Sequence, residues 1–553
     1  MKIRLSRVET LFLVAIYLIG LYLRLEPRLG IDAHLLTFQG DIWYRLCMAQ
    51  YIFDHQTLPE PDIRYESYGY VPMWYPPTSP VFFALLSYLS GLDIPTVSSR
   101  ILPFIESIAP LSLYFLARHI YSQKVAFIAT TALALTPSFV FWSGISDPQS
   151  LTLFLIPIFI LLWVWHSKSP PSNLRLLGIG ILLGMNFILH LSYFVVILVL
   201  LMVTTALVLK KEAERRLFAD LGKVVLLSQI LTSPWWLLSK LAMPEQFSFI
   251  QKNLYWWWIN ALVTSSGMYK PAQQLEEYGI FAALAGMAAF VYMLSRGKKH
   301  LLLMLWALPL ILETQNEVIL SALNRIELSW STLAKPLEGY RFYCFLAQPL
   351  AIAIGVALSD FLDRTSKKIA PALIALFALG LIAGMHYYDM PARFQNSGLI
   401  IEEYEAAKWF RNNSKPGDGI IADYYRAQMF GGVVGGRVLQ GGEFPLRNVD
   451  YLYIKAPGEV LNHLFILYNT SDAKIAYEIA RRYNATHIFY SDNMIRYGNL
   501  LSYYKPASEY GVDTDKKKFL NQEFFEVVYS RDSPYGEIVI VRVKEHEVFH
   551  ECD

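Results

Sequence analysis

Residues 174–209 read LRLLGIGILLGMNFILHLSYFVVILVLLMVTTALVL, and this run decides the fold class. Arg175 and His190 are its only basic side chains, and it carries no acid. A helix needs about 20 residues to cross a bilayer. The run is therefore too long for one helix and divides near His190 to Ser192. Working outward, comparable apolar segments lie near 8–25, 98–120, 124–142, 150–166, 221–241, 279–295, 300–314, 341–360 and 369–387. With the two halves of the first run, that predicts about eleven spans. The composition agrees: 54% of residues are hydrophobic and 17% charged, against about 25% charged in an ordinary soluble domain. The formal charge of +2 gives no reason to expect a nucleic-acid partner. Cys47, Cys344 and Cys552 lie too far apart in sequence to suggest a disulfide framework or a metal pattern.

Basic residues set the orientation. With the N-terminus cytoplasmic, alternate loops hold Arg118, His119 and Lys124; Lys168 and Arg175; Lys210 to Arg216; Arg296 to Lys299; and Arg364 to Lys368. All then fall inside, as the positive-inside rule requires. Lys2, Arg4 and Arg7 precede an apolar run longer than a signal peptide's, so an uncleaved first span is expected. The outside loops 26–97, 143–149 and 242–278 are aromatic, two of them long. From Pro391 charges and turn residues become frequent. The expected division is a transmembrane domain over 1–390 and an extracytoplasmic mixed α/β domain over 391–553. In the latter, helices are predicted over 399–411 and 472–483. Strands are predicted at 419–423, 487–490, 525–529 and 537–543.

Two short stretches carry chemistry. The first outside loop contains Gly40-Asp41-Ile42-Trp43-Tyr44-Arg45 and closes on Trp74-Tyr75-Pro76-Pro77-Thr78-Ser79-Pro80. An acid just outside the first span suits a metal ligand or a base beside a lipid headgroup; it also suits a solvated or helix-capping acid. The second outside loop reads Trp142-Ser143-Gly144-Ile145-Ser146-Asp147-Pro148-Gln149. Two carboxylates on one side of a membrane can share a divalent cation, although Asp147 equally reads as the N-cap of the following span. Arg341 sits at a membrane edge, where a charge is either functional or snorkelling. Trp256 to Trp258 read as an interfacial belt, His190 as structural, and Glu313 and Glu317 as solvated span-end acids. Asn412, Asn469 and Asn484 each begin an N-glycosylation sequon.

Together these features resemble the catalytic subunit of oligosaccharyltransferase, within the GT-C superfamily of lipid-linked-sugar glycosyltransferases. Asp41 and Tyr44 match its first acidic motif, Gly144 and Asp147 its second, and Arg341-Phe342 the Arg-Phe opening a late span. Asp472 to Ile488 is similar to a segment of its soluble domain. The resemblance implies catalysis by Asp41 and Asp147 around a divalent cation, Mg2+ or Mn2+. It further implies substrate contacts from Tyr44, Arg45, Trp74, Arg341, Asp423 and Tyr424. The implied partners are the lipid bilayer, a polyprenyl-linked sugar donor, and an acceptor protein, glycan or lipid. Departures fall on acceptor recognition. Ile421-Ala422-Asp423-Tyr424-Tyr425 keeps only Asp-Tyr of a Trp-Trp-Asp-Tyr-Gly signature, Met268 stands at an expected glutamate, and Gln149 replaces the second acid of the second motif. Glu276 and Glu277 are the acids within reach to substitute. The alternatives are a single-sugar GT-C transferase acting on lipid or glycan, and a catalytically silent scaffold that binds glycolipid. A transporter fits the outside loops less well.

Overall fold

The computed structural model describes residues 5–29, 40–59, 77–146, 148–190, 192–242, 275–276, 278–314, 342–388, 398–435, 438–441, 457–497 and 516–545. Each expected apolar segment coincides with helix. Among the described residues, five helices are long and apolar enough to cross a membrane: Arg7–Leu29, Ile94–Ile120, Pro148–Ser167, Tyr343–Arg364 and Ala370–Tyr387. Asn173–Leu189, Tyr193–Leu209 and Ile280–Ser295 are shorter apolar helices. The long run does divide at His190, which caps the first half and accepts from the Ser192 amide at 2.9 Å. The segment expected over 124–142 is interrupted at Leu135 and Thr136, because Pro137 opens a new helix at its first position. The 94–120 stretch contains a π-helical turn, Val97–Ile101.

By internal contacts the chain forms two units. Unit 1 comprises residues 1–29 and 100–393, and unit 2 residues 30–99 and 394–553. Residues 30–99 thus group with residues 394–553.

In unit 1, small residues let helices approach closely, as they do in apolar media. A Cβ on Gly355 would come within 2.7 Å of the Val125 carbonyl, and one on Gly180 within 2.6 Å of Leu227. Helix Tyr343–Arg364 thereby packs on Gln123–Ala134, and Asn173–Leu189 on Arg216–Ala242. Glu9 is buried near the start of the first helix, bonded by the Tyr114 hydroxyl at 2.6 Å and the Arg118 guanidinium at 2.8 Å. Helix Ala370–Tyr387 leaves Ile374, Leu376, Leu379 and Ile382 exposed, an apolar face suited to hydrocarbon.

Unit 2 is built on a five-stranded sheet: β1 (Ile420–Asp423), β2 (Val438–Gly441), β3 (His487–Ser491), β4 (Phe525–Ser533) and β5 (Gly536–Val543), in the order β2-β1-β3-β5-β4. β2, β1 and β3 run parallel, while β5 is antiparallel to β3 and β4. β1 and β3 are buried at every position, as parallel strands covered on both faces must be. Helix Gly40–His55 packs against helix Tyr424–Val434; any side chain at Gly432 would overlap the Trp43 ring. Asp54 adds an ion pair to Arg411 at 2.9 Å.

His487 opens β3 with its ring edge-on to Phe410 at 5.0 Å and Thr486 Oγ1 2.8 Å from Nδ1. Burial, with help from Arg542 and against Asp418, lowers its pKa to about 4. A histidine depressed in the fold stabilises it above the unfolded pKa of 6.5, and that contribution is withdrawn as pH falls through 4. Between pH 6.5 and 4 the loss should be about 3 kcal/mol. Protection factors of β3 and β5 amides, which normalise for the slower intrinsic exchange in acid, should therefore fall on acidification in the wild type, and by much less in His487→Gln.

Candidate functional site

The second outside loop lies in unit 1 and is clamped by buried charge. Helix Pro137–Trp142 ends at Ser143, whose hydroxyl donates back to the Phe139 carbonyl at 2.5 Å. Gly144 follows because a Cβ there would lie 2.9 Å from the Val140 carbonyl and 3.3 Å from Arg24 Cγ. Ser146 takes a positive φ of 60°. This tight turn leaves carbonyls facing the end of helix Arg7–Leu29, where Arg24 and Arg28 stand one turn apart. Arg24 donates to the Ser143 hydroxyl and, from Nη1 at 2.9 Å, to the Gly20 carbonyl. Arg28 donates to the Gly144 carbonyl, and its own carbonyl accepts from Arg100 at 2.7 Å. From the other side Glu106 accepts from the Ser146 amide at 3.2 Å and the Ser150 hydroxyl at 2.7 Å.

Arg24, Arg28 and Glu106 are at most 2% exposed. Two guanidiniums and a carboxylate thus lie away from water around the turn, an arrangement that holds it in place. Arg100 belongs to the π turn, a distortion common at functional sites. The segment after the turn is also held, with Gln149 Nε2 3.0 Å from Cys344 Sγ and Gln348 Nε2 donating to the Leu153 carbonyl at 2.8 Å.

The expected site residues distribute as follows. Asp147, Trp74, Arg341 and Glu277 lie outside the described residues, as do Met268, Trp256 to Trp258 and Glu317. Asp41 and Tyr44 lie on helix Gly40–His55 of unit 2, and Tyr424 on helix Tyr424–Val434; their side chains are likewise outside the described set. Arg45, on the same helix as Asp41, is buried at 4% exposure. Glu276 is exposed. Gln149 is buried and bonded within unit 1, so it packs as a core residue. Glu313 departs from expectation: the span-end acid is 4% exposed rather than solvated.

Asp423 is fully buried at the end of β1. It caps helix Tyr424–Val434 by accepting from the Arg426 amide at 3.2 Å, and pairs with the Arg426 guanidinium at 3.1 Å. Burial pushes its carboxyl pKa up against the pull of Arg426. Glu403 completes the network, 3.0 Å from Arg426 and also bonded by Ser491 and Asn493. The Asp423 carboxylate is thus spent within the domain, and what it fixes is the start of the helix bearing Tyr424.

Sequence reasoning missed Glu106, Arg24 and Arg28. The available signal was two arginines four residues apart in the last turns of an apolar helix, where charge is costly unless answered.

No family model matches the chain, and no curated protein matches it in sequence. Its fold does match solved structures. The archaeal oligosaccharyltransferase AglB from Archaeoglobus fulgidus, in complex with an inhibitory peptide and a dolichol-phosphate, aligns at TM-score 0.60 and 14% identity, covering 96% of this chain and 74% of that one. ArnT from Cupriavidus metallidurans bound to undecaprenyl phosphate aligns at 0.58 and 13%, covering 98% and 99%. The arabinofuranosyltransferase AftD from Mycobacteria aligns at 0.53 and 14%, covering 98% of this chain and 40% of that one. The Archaeoglobus enzyme is also known in complex with Zn and sulfate. These are GT-C glycosyltransferases, and the chain has their fold, that of a multi-pass membrane protein with a small C-terminal sheet. At this identity the likeness is one of fold.

Removing Glu106 tests its role in the clamp. Glu106→Ala takes the acceptor from the Ser146 amide and the Ser150 hydroxyl and removes a charge opposing Arg24 and Arg28, and should cost about 3–5 kcal/mol. Glu106→Gln keeps one acceptor and should cost less. Thermal unfolding of the detergent-solubilised protein ranks the two; equal stability of Glu106→Ala and wild type would refute the clamp.

Proposed function

We propose that this protein is a membrane glycosyltransferase that takes a glycan from a polyprenyl-phosphate or polyprenyl-diphosphate carrier, in the manner of oligosaccharyltransferase. The observation that carries this reading is the clamped turn at Gly144, on a chain that shares the GT-C fold over nearly its whole length. The positive-inside pattern would place the N-terminus in the cytoplasm and the C-terminal domain outside, with about eleven crossings.

Asp41 and Asp147 offer hard oxygen donors, the chemistry that Mg2+ or Mn2+ accepts. Among the described residues no group of three or more His, Cys, Asp or Glu could hold a metal, so the two acids would need water and donor phosphate oxygens to complete a shell. When bound, such a cation neutralises charge developing on the leaving phosphate. The chain's own residues do the rest. The Arg24, Arg28 and Glu106 clamp holds the turn from Ser143 to Ser146, next in sequence to Asp147. Arg45 and Arg341 add positive charge near the phosphate. Trp74 and the segment to Pro80 shape the loop over the site, and Tyr44 and Tyr424 contact substrate. Asp423 positions the helix that bears Tyr424.

A second reading, transfer of a single sugar to a lipid or glycan, draws support from the acceptor side. Ile421, Ala422 and Met268 offer no indole donor and no acid for an asparagine acceptor.

The deciding assay incubates purified full-length protein with lipid-linked glycan and either an Asn-x-Thr peptide or a lipid acceptor, with and without divalent metal. Donor consumption should require metal. Asp41→Ala and Asp147→Ala should each abolish it, and the double variant should be no worse than either. Transfer to peptide should be weak and should fall further in Glu276→Gln and Glu277→Gln. Turnover that survives chelation overturns the metal site, and transfer to lipid alone selects the second reading.

A further inference from the structure

Six carboxylates are buried among the described residues: Glu9, Glu106, Asp220, Glu313, Glu403 and Asp423. Five are answered by donors. Glu9 has Tyr114 and Arg118, Glu106 has Ser146 and Ser150, and Asp220 has His166 and Lys223. Glu403 and Asp423 share Arg426. Glu313 stands apart: it is 4% exposed and, unlike Glu106, whose Oε2 also lacks a partner but whose Oε1 has two donors, it has no donor on either oxygen and no cation paired with it among the described residues.

Its surroundings make this burial unfavourable in three ways. It is the one ionisable side chain in the apolar helix Leu301–Thr314. It lies in the last turn, where the helix dipole repels an anion. A carboxylate removed from water without a donor forfeits its solvation. Nothing in the fold requires an acid there, since Leu or Met would fill the same volume. Helix Leu301–Thr314 packs on Tyr343–Arg364, and the first turns of that helix bond to Gln149 and Leu153 through Cys344 and Gln348.

We infer that Glu313 is a substrate-binding residue that accepts a hydrogen bond from a hydroxyl of the transferred sugar, a role that rests on the transferase reading. A hydroxyl fits better than a metal ion, because a divalent cation needs several oxygen ligands and Glu313 has no companion acids among the described residues. A carboxylate is acceptor-only, so a neutral hydroxyl completes it without adding charge to the apolar wall.

The test joins stability with turnover in the detergent-solubilised full chain. Glu313→Leu removes an unsatisfied buried carboxyl group and should raise Tm by roughly 2–4 °C, while donor consumption falls at least tenfold. Glu313→Gln, nearly isosteric, should keep the fold and raise KM for the lipid-linked donor more than it lowers kcat. Dolichyl phosphate, which carries no sugar, should inhibit wild type and Glu313→Gln equally. A fall in Tm for Glu313→Leu, unchanged turnover, a KM rise for the acceptor alone, or weaker inhibition by dolichyl phosphate would each overturn the assignment. A wild type that consumes no lipid-linked glycan would instead overturn the transferase reading, and this role with it.

Discussion

Arg24 and Arg28 lie away from water in an apolar helical bundle, so their charges must be answered from within the protein. The answer is local and specific. Backbone carbonyls at Gly20, Ser143 and Gly144 receive the guanidinium protons, and Glu106 supplies the opposing charge. The partners come from three segments, so the cluster ties the first helix, the 94–120 stretch and the turn at Gly144 into one piece. That turn is the stretch on which the proposed chemistry depends. A loop at a membrane surface would otherwise sample many conformations; this one has its carbonyls, an amide and a hydroxyl all committed.

The same logic recurs in unit 2 with the signs exchanged. There one buried guanidinium, Arg426, stands between two carboxylates, Glu403 and Asp423. It joins helix Ile401–Asn413 to the junction of β1 and the helix that follows. In both units an ionic cluster fixes the backbone beside a candidate substrate residue, and in neither does the cluster face solvent.

Much of the architecture was legible because it rests on periodicity and length. The apolar runs, the break at His190, β1, β3 and the closing hairpin all announce themselves through hydrophobic pattern and turn residues. β2 and helices Pro457–Asn469 and Asp492–Tyr497 did not: β2 spans four residues, and the helices are short or only weakly amphipathic. The candidate site was legible only where charge stood out against an apolar background. Asp41 and Asp147 were visible as acids in aromatic loops. Glu106 was not, because its partners Ser146 and Ser150 lie some forty residues away and no local pattern links them. Glu313 misled for a related reason. Its position at a span end suggested water, whereas burial is decided by neighbouring helices that sequence spacing does not reveal.

Unit 2 is discontinuous: helix Gly40–His55 rests on helix Tyr424–Val434, and the whole of residues 100–393 is synthesised between them. At ~5–20 residues per second, about 300 residues take roughly 15–60 s to emerge. Throughout that interval Trp43, Leu46 and Cys47, all buried in the finished protein, have no domain to cover them. Biogenesis must therefore shelter the apolar side of this helix until the C-terminal part of unit 2 has emerged. Helix Gly40–His55 is made early and is among the last to reach its native contacts, which makes maturation of this unit a late event that a truncated nascent chain never completes.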